Sequence, residues 1–262
     1  MDMMNIIKTR KSIRTFNGEK ITENDMEKLQ DYIETITNPY NIPVKFLFLD
    51  KEEFDLSSPV IKGEDTYIAA KVPRIRDCEV AFGYSFEKMI LYAWSLGIGS
   101  TWIGGTFNRE LFEKAANTGE GEYMMITSPL GYPSKTQSDV DLKLRQSVRG
   151  DERLSSNNLF FDDNFNHPLK DKDEFLEAVR WAPSAANRQP WRIVKKDNKY
   201  HFYEHHTIGY NSGVDWDVQK IDLGIAICHF LGVCNGKFLI NNPGIEVDEN
   251  TEYIATIEVN IK

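Results

Sequence analysis

Ala182-Pro183-Ser184-Ala185-Ala186-Asn187-Arg188-Gln189-Pro190-Trp191 is the stretch whose reading decides the fold. It follows a segment with helical spacing and precedes a β-rich run. Pro183 and Pro190 fix the backbone φ near both ends, so the loop is rigid. Ser184, Asn187 and Gln189 put a hydroxyl and two amides on it, groups that both donate and accept hydrogen bonds. A rigid loop of this kind can read the polar edge of a flat heterocycle. The same residues can also end a helix with ordinary Asx-turn chemistry, and spacing alone leaves both readings open.

Around this loop, residues 170–181 predict a helix with Phe175, Leu176 and Val179 on one face, stopped by Pro183. Residues 191–195 and 200–205 predict strands around a turn at Asp197-Asn198, and residues 214–233 predict a long helix. From 253 to 261, Tyr253, Ala255, Ile257, Val259 and Ile261 alternate with polar neighbours, the pattern of a half-buried strand. Toward the N-terminus, residues 3–9 predict a short helix. Thr22 predicts an N-cap, because Asp25 stands three residues on and Met26, Leu29, Ile33 and Ile36 follow at helical spacing. Asn38-Pro39 ends that helix. Residues 44–49 predict a strand and 75–84 another; residues 86–96 predict a buried helix stopped at Gly97. A short strand or extended loop over 100–103 ends at Gly104-Gly105, Asn108 caps a further helix, and 123–130 predict a strand closed by Gly131-Tyr132-Pro133. The polar stretch 134–158 reads as the boundary inside the chain. Helices and strands intermix, so the class is α+β or α/β.

Composition narrows the function. The 262 residues are 41 % hydrophobic and 27 % charged, ordinary globular usage. The net charge of −9 argues against nucleic acid or anionic lipid as a partner. Three cysteines without CxxC spacing make neither a disulfide framework nor a zinc site. No window reaches the roughly 18 apolar residues of a membrane span, and no signal-peptide pattern is present. The expectation is a soluble, cytoplasmic protein. No GxSxG elbow supports a hydrolase triad. His205 and His206 beside Glu204 are adjacent on a strand and point to opposite faces, so no metal site is expected. His229, on an apolar helix, reads as a core histidine.

Two further segments stand out. Arg10-Lys11-Ser12-Ile13-Arg14 puts two guanidinium forks and a hydroxyl on one side if extended, a possible anion site; the bland reading is a solvated basic segment. Gly97-Ile98-Gly99-Ser100-Thr101-Trp102-Ile103-Gly104-Gly105 fails the GxGxxG template, because Trp102 stands where the third glycine belongs. It reads as a backbone lying close to something flat, or as a plain helix C-cap and turn. The chain also echoes itself. Arg10-Lys11-Ser12-Ile13-Arg14 returns as Arg145-Gln146-Ser147-Val148-Arg149, and Leu96-Gly97-Ile98 returns at the same offset as Leu231-Gly232-Val233.

Together, RxSxR, APSxxNxQPW and LGIGSTWIGG resemble the nitroreductase family of FMN-dependent NAD(P)H oxidoreductases. In ordinary members the APS loop closely follows RxSxR. Here Asn38-Pro39-Tyr40-Asn41-Ile42-Pro43 fills that place, an order similar to the single-chain TM nitroreductase branch, in which two half-units mimic a homodimer. The resemblance implies an α+β fold in which halves 1–150 and 151–262 form a pseudo-dimer with a central antiparallel-type sheet flanked by helices. It implies a chain that acts as a monomeric pseudo-dimer with one FMN at the seam, a higher oligomer being the alternative. A second site, from Arg145, Ser147, Arg149 and the 38–43 loop, lacks the APS motif. By resemblance, Arg10 and Ser12 hold the phosphate and ribityl end, Lys11 is a further cofactor-binding residue, and Arg14 stabilises the charge that collects near N1 of a reduced flavin. The backbone of Ile103, Gly104 and Gly105 faces the ring, one N–H meeting N5. Pro183, Ser184, Asn187 and Gln189 line the site, and Arg153 binds phosphate, with Arg149 as its rival. The implied activity is ping-pong hydride transfer from NAD(P)H to a nitroaromatic or quinone-like acceptor, with no catalytic side chain. A non-enzymatic flavin-binding module uses the same binding residues and is the competing reading.

Overall fold

A computed structural model describes residues 2–210 and 213–260 of the chain. Ile261, the last of the alternating C-terminal residues, lies outside the described residues. Two compact units are present: Thr9–Arg149, the N-terminal unit, and Met1–Lys8 with Gly150–Lys262, the C-terminal unit.

Helix α1 (Met3–Thr9) opens the chain with Ile6 and Ile7 buried, and up to Lys8 it belongs to the C-terminal unit. In the N-terminal unit the Thr22 hydroxyl accepts from the Asp25 amide at 3.2 Å and starts α2 (Glu23–Glu34). Strands β1 (Lys45–Asp50) and β2 (Thr66–Pro73) follow, then the long helix α3 (Cys78–Ser95). Residues 75–84, read as a strand, mostly enter α3 instead. An apolar run that is buried on nearly every side, as Val80, Phe82, Phe86 and Ile90 are, carries no periodicity that separates strand from helix. The strand itself is β2, whose Ala69 and Ala70 give a weak β signal. Gly97, at φ +80°, ends α3 in the left-handed region. Next come β3 (Gly99–Ser100), α4 (Arg109–Ala115) capped by Asn108, β4 (Glu122–Tyr123), β5 (Thr127–Gly131) and α5 (Asp139–Ser147). The sheet order is β1-β2-β5-β3, antiparallel throughout, with β4 beside the end of β2. Ile13, Phe16, Leu49, Tyr67, Phe112 and Met124 share one core there.

The C-terminal unit adds α6 (Ser156–Leu159), β6 (Phe160–Asp162), α7 (Glu174–Arg180), β7 (Trp191–Lys196), β8 (Lys199–His205), α8 (Val218–Val233), β9 (Gly236–Leu239) and β10 (Thr251–Val259). Its sheet runs β6-β7-β8-β10-β9, antiparallel except for the parallel β6–β7 pair. The antiparallel character expected of a central sheet therefore occurs twice, in two five-stranded sheets, one per unit. α8 starts at Val218 rather than at 214, because Asp217 caps it through the Gln219 and Lys220 amides. Asp173 caps α7 and also accepts from Tyr200 Oη at 2.6 Å and Lys195 Nζ at 2.9 Å. His229 is buried with Nδ1 3.0 Å from the Ala178 carbonyl, a core histidine as read. Among the described residues no helix is long and apolar enough to cross a membrane.

Candidate functional site

In the N-terminal unit the Arg10–Arg14 segment is extended and lies directly on β3. Ser12 bridges Ser100 in parallel register, and the Ile13 amide donates to the Ser100 carbonyl at 2.8 Å. A Cβ on Gly99 would come within 2.8 Å of Ile13 Cγ1, so only glycine allows this approach. Two of the three sequence markers, RxSxR and GIGS, are thus brought together by backbone contact. Alternation sends Ile13 into the core, while Lys11 is exposed and Ser12 and Arg14 are half-buried.

Arg10 is the most informative member. Its side chain is 3 % exposed, and Nε stands 3.7 Å from Glu87 Oε1. Glu87, on α3, is fully buried and accepts from Trp102 Nε1 at 3.0 Å. Burial lowers the Arg10 guanidinium from its ordinary range, Glu87 pulls it back, and Arg145 pushes it lower again. Among the described residues, Arg10 Nε and Nη1 and the buried Ser100 Oγ have no hydrogen-bond partner. Glu87 balances the charge of Arg10 but leaves Nε and Nη1 without a hydrogen bond; buried donors without an acceptor cost about 1–3 kcal/mol each, so these nitrogens are open to an accepting group. Arg14 differs: Nη1 meets Asp141 Oδ1 at 3.2 Å, and Asp141 is buried in the first turn of α5. Neither Glu87 nor Asp141 had a sequence signal beyond being an acid on a helix.

The Gly-rich segment is fixed from both sides. Ile103 exchanges both backbone bonds with Thr127, at 2.9 and 3.1 Å. Its N–H is therefore engaged in a bridge, while Gly104 and Gly105, the other two residues of that expected ring contact, are both exposed. Arg109 clamps this segment, donating to the carbonyls of Gly104 (2.8 Å), Met124 (2.7 Å) and Met125 (3.1 Å). Reading Asn108 as a cap located the start of that helix, but nothing in the sequence marked Arg109 as a clamp.

In the C-terminal unit the loop after α7 contains a short 3₁₀ turn, Ala185–Asn187. Ala186, Asn187 and Gln189 have φ of 48°, 55° and 52°. Three non-glycine residues in the left-handed region cost of order 1 kcal/mol each and persist only where the surroundings enforce them. The polar groups do that. Ser184 Oγ accepts from the Gln189 amide at 2.9 Å. Gln189, 3 % exposed, takes the Leu154 amide on Oε1 at 2.9 Å, and Asn187 Nδ2 donates to the Glu152 carbonyl at 3.0 Å. The Ala185 amide donates to both oxygens of Asp222, at 3.0 and 3.1 Å. Pro183 is half-buried at the loop entrance. Arg153 donates to the carbonyls of Gly150, Glu152 and Trp181, at 3.1, 2.8 and 3.4 Å, and stacks 5.4 Å from the Trp181 ring. It binds chain to chain at this loop. Arg149 is exposed, with φ of 51°.

A group of carboxyls lies beneath the loop. Glu204, on β8, is buried and pushed up to about 7, first by burial and then by Asp217, with His206 and Lys220 pulling back. Burial holds Asp222 well above the usual carboxylate range, against the Ala185 amide. Glu204, His206 and Asp217 offer ligand atoms within 4.8 Å of one another. His205 turns elsewhere, Nδ1 meeting Thr251 Oγ1 at 2.9 Å, so the adjacent histidines do diverge. Asp217, brought from another element, is the member that the sequence did not connect with them.

The sequence matches the family model described as "Putative TM nitroreductase" over residues 2–232. Among curated proteins, none matches. Of the solved structures, the Thermotoga maritima MSB8 protein described as "a putative nitroreductase" is 18 % identical, covering 100 % of this chain and 95 % of its own, with a TM-score of 0.61. A nitroreductase family protein from Clostridium novyi NT is 21 % identical over 54 % of this chain and 91 % of its own, TM-score 0.45. An FMN-dependent nitroreductase from Clostridium difficile R20291 is 16 % identical over 54 % and 95 %, TM-score 0.44.

Proposed function

The chain belongs to the TM nitroreductase family, and from that membership we propose that it is an FMN-dependent oxidoreductase. Its substrates in this reading are NAD(P)H and an electron-poor acceptor, nitroaromatic or quinone-like, used in turn at one position. The observation that carries the proposal is Arg10: a buried guanidinium, ion-paired with Glu87, whose Nε and Nη1 make no hydrogen bond, on the segment whose pattern matches the family's phosphate and ribityl motif. These residues fit an anionic, hydroxyl-rich cofactor such as FMN.

Bound FMN supplies the hydride chemistry at N5, which no side chain of this protein can supply. The residues have the remaining tasks. Arg10 and Ser12 bind the phosphate and ribityl end, with Lys11, exposed beside them, adding positive charge. Arg14, held by Asp141, offers a fixed cation for charge that develops on the ring. Gly104 and Gly105 offer backbone to the ring, steadied by Arg109. In this reading Pro183, Ser184, Asn187 and Gln189, on the loop of the C-terminal unit, keep the flavin-binding role that the motif implies. Arg153, expected to add a phosphate contact with Arg149 as its rival, is engaged with three carbonyls, so in this reading Arg10 carries the larger share of that role. We place the protein in the cytoplasm as a single-chain counterpart of a dimeric enzyme, with one flavin per chain.

Equilibrium dialysis of the purified protein against FMN tests the binding. One FMN per chain in the wild type, and loss of at least tenfold affinity in Arg10→Met, support the proposal. An unaltered affinity in Arg10→Met removes its carrying observation.

A further inference from the structure

We propose that Asp222 is the positioning residue of the Ala182–Gln189 loop, holding it in the conformation that meets the flavin. The flavin half of this inference rests on the function proposed above; the loop half does not.

The argument is geometric. Ala186, Asn187 and Gln189 occupy the left-handed region within four residues, a conformation the chain does not keep by itself. Most of the ties that enforce it connect the loop to its own residues or to the 152–154 segment, which is also irregular. Asp222 is different, because it stands on α8, a sixteen-residue helix buried along most of its length. Both of its oxygens converge on a single backbone N–H, that of Ala185, at the entrance to the 3₁₀ turn. This links the strained turn to a long, largely buried helix of the unit. The charged groups that act on Asp222 are Glu204 and Asp217, both acidic, so among the described residues its oxygens are left to the Ala185 amide. A buried carboxyl surrounded by acids and bonded to one amide is a poor stabiliser of the fold. Its use lies in fixing that amide.

Amide hydrogen exchange on the apo protein gives the first arm of the test. In Asp222→Ala the amides of residues 185–189 exchange at least tenfold faster than in the wild type, while those of β7 and β8 keep their rates, which shows that the unit is folded. Asp222→Asn keeps an acceptor oxygen of the same reach and restores exchange to within about threefold. Unchanged exchange in Asp222→Ala, or no rescue by Asp222→Asn, overturns the positioning role. FMN dialysis gives the second arm: affinity falls at least tenfold in Asp222→Ala and returns in Asp222→Asn. Faster loop exchange with full FMN affinity overturns the link to the flavin. A wild type that binds no FMN defeats both that link and the function proposed above, and leaves the exchange arm to decide the loop half.

Discussion

Replacing Glu204 by glutamine should change the pH dependence of stability. The Glu204 carboxyl has an ordinary value of 4.5 and stands at about 7 in the folded chain, because burial and Asp217 outweigh His206 and Lys220. At 1.36 kcal/mol per pH unit, that difference is worth about 3 kcal/mol. The folded state holds this proton more tightly than the unfolded state. The stability it contributes is therefore fully present below pH 4.5 and is lost as the pH rises through about 7. Glutamine has the same shape and does not ionise. His201, pushed down to about 4 by burial, works in the opposite direction, its penalty fading as the pH rises. The absolute slope of the wild type mixes the two, so the informative quantity is the difference between variant and wild type. Urea unfolding followed by tryptophan fluorescence, at intervals from pH 4.5 to 8, measures it. The variant should gain on the wild type by about 3 kcal/mol across that range, with most of the gain complete by pH 7.5. A difference that stays constant with pH refutes the reasoning, because Glu204 would then titrate alike in both states.

Gly99→Ala should destabilise the N-terminal unit by about 1–3 kcal/mol, since the new methyl would lie 2.8 Å from Ile13 Cγ1; thermal unfolding measures this, and it should also weaken FMN binding by shifting the Arg10–Arg14 segment. Asp173→Ala removes the α7 cap and the acceptor of Tyr200 and Lys195 together, and should cost about 2–4 kcal/mol in urea unfolding. Arg109→Ala unties the Gly104 carbonyl from those of Met124 and Met125, so the amides of residues 104–106 should exchange several-fold faster in the apo protein.

How much of this was legible in the sequence varied with the kind of signal. Two caps were legible, because a cap is local chemistry: Thr22 and Asn108 each stand before a helix that begins at the next residue; the cap at Asp173 was not, the helix there being read from residue 170. The hairpin around Asp197-Asn198 was legible for the same reason, and Asp197 takes φ of 55° there. The strand at 66–73 and the true start of α3 were not, because a segment buried on all sides has no polar face to give it a period. The site divides along the same line. RxSxR and the APS loop are contiguous motifs and could be quoted from the chain. Their partners could not: Glu87 reaches Arg10, Asp141 reaches Arg14 and Asp222 reaches Ala185 across long stretches of sequence. The loop amides of Asn187 and Gln189, read as groups offered to a ligand, mostly hold the loop itself. Ile103, read as a ring contact, has its backbone in a bridge to Thr127. A motif names the residues at a site, and the division of labour among them depends on neighbours that only the fold supplies.

The most direct measurement of the central claim is the visible spectrum of FMN-loaded protein through one anaerobic cycle. The account predicts that NADH or NADPH bleaches the yellow absorbance, and that a nitroaromatic or quinone added afterwards restores it with no protein side chain consumed. Flavin that binds but is never bleached by either nucleotide would contradict the oxidoreductase reading and leave a flavin-binding module. A protein that takes up no FMN would contradict the account at its root.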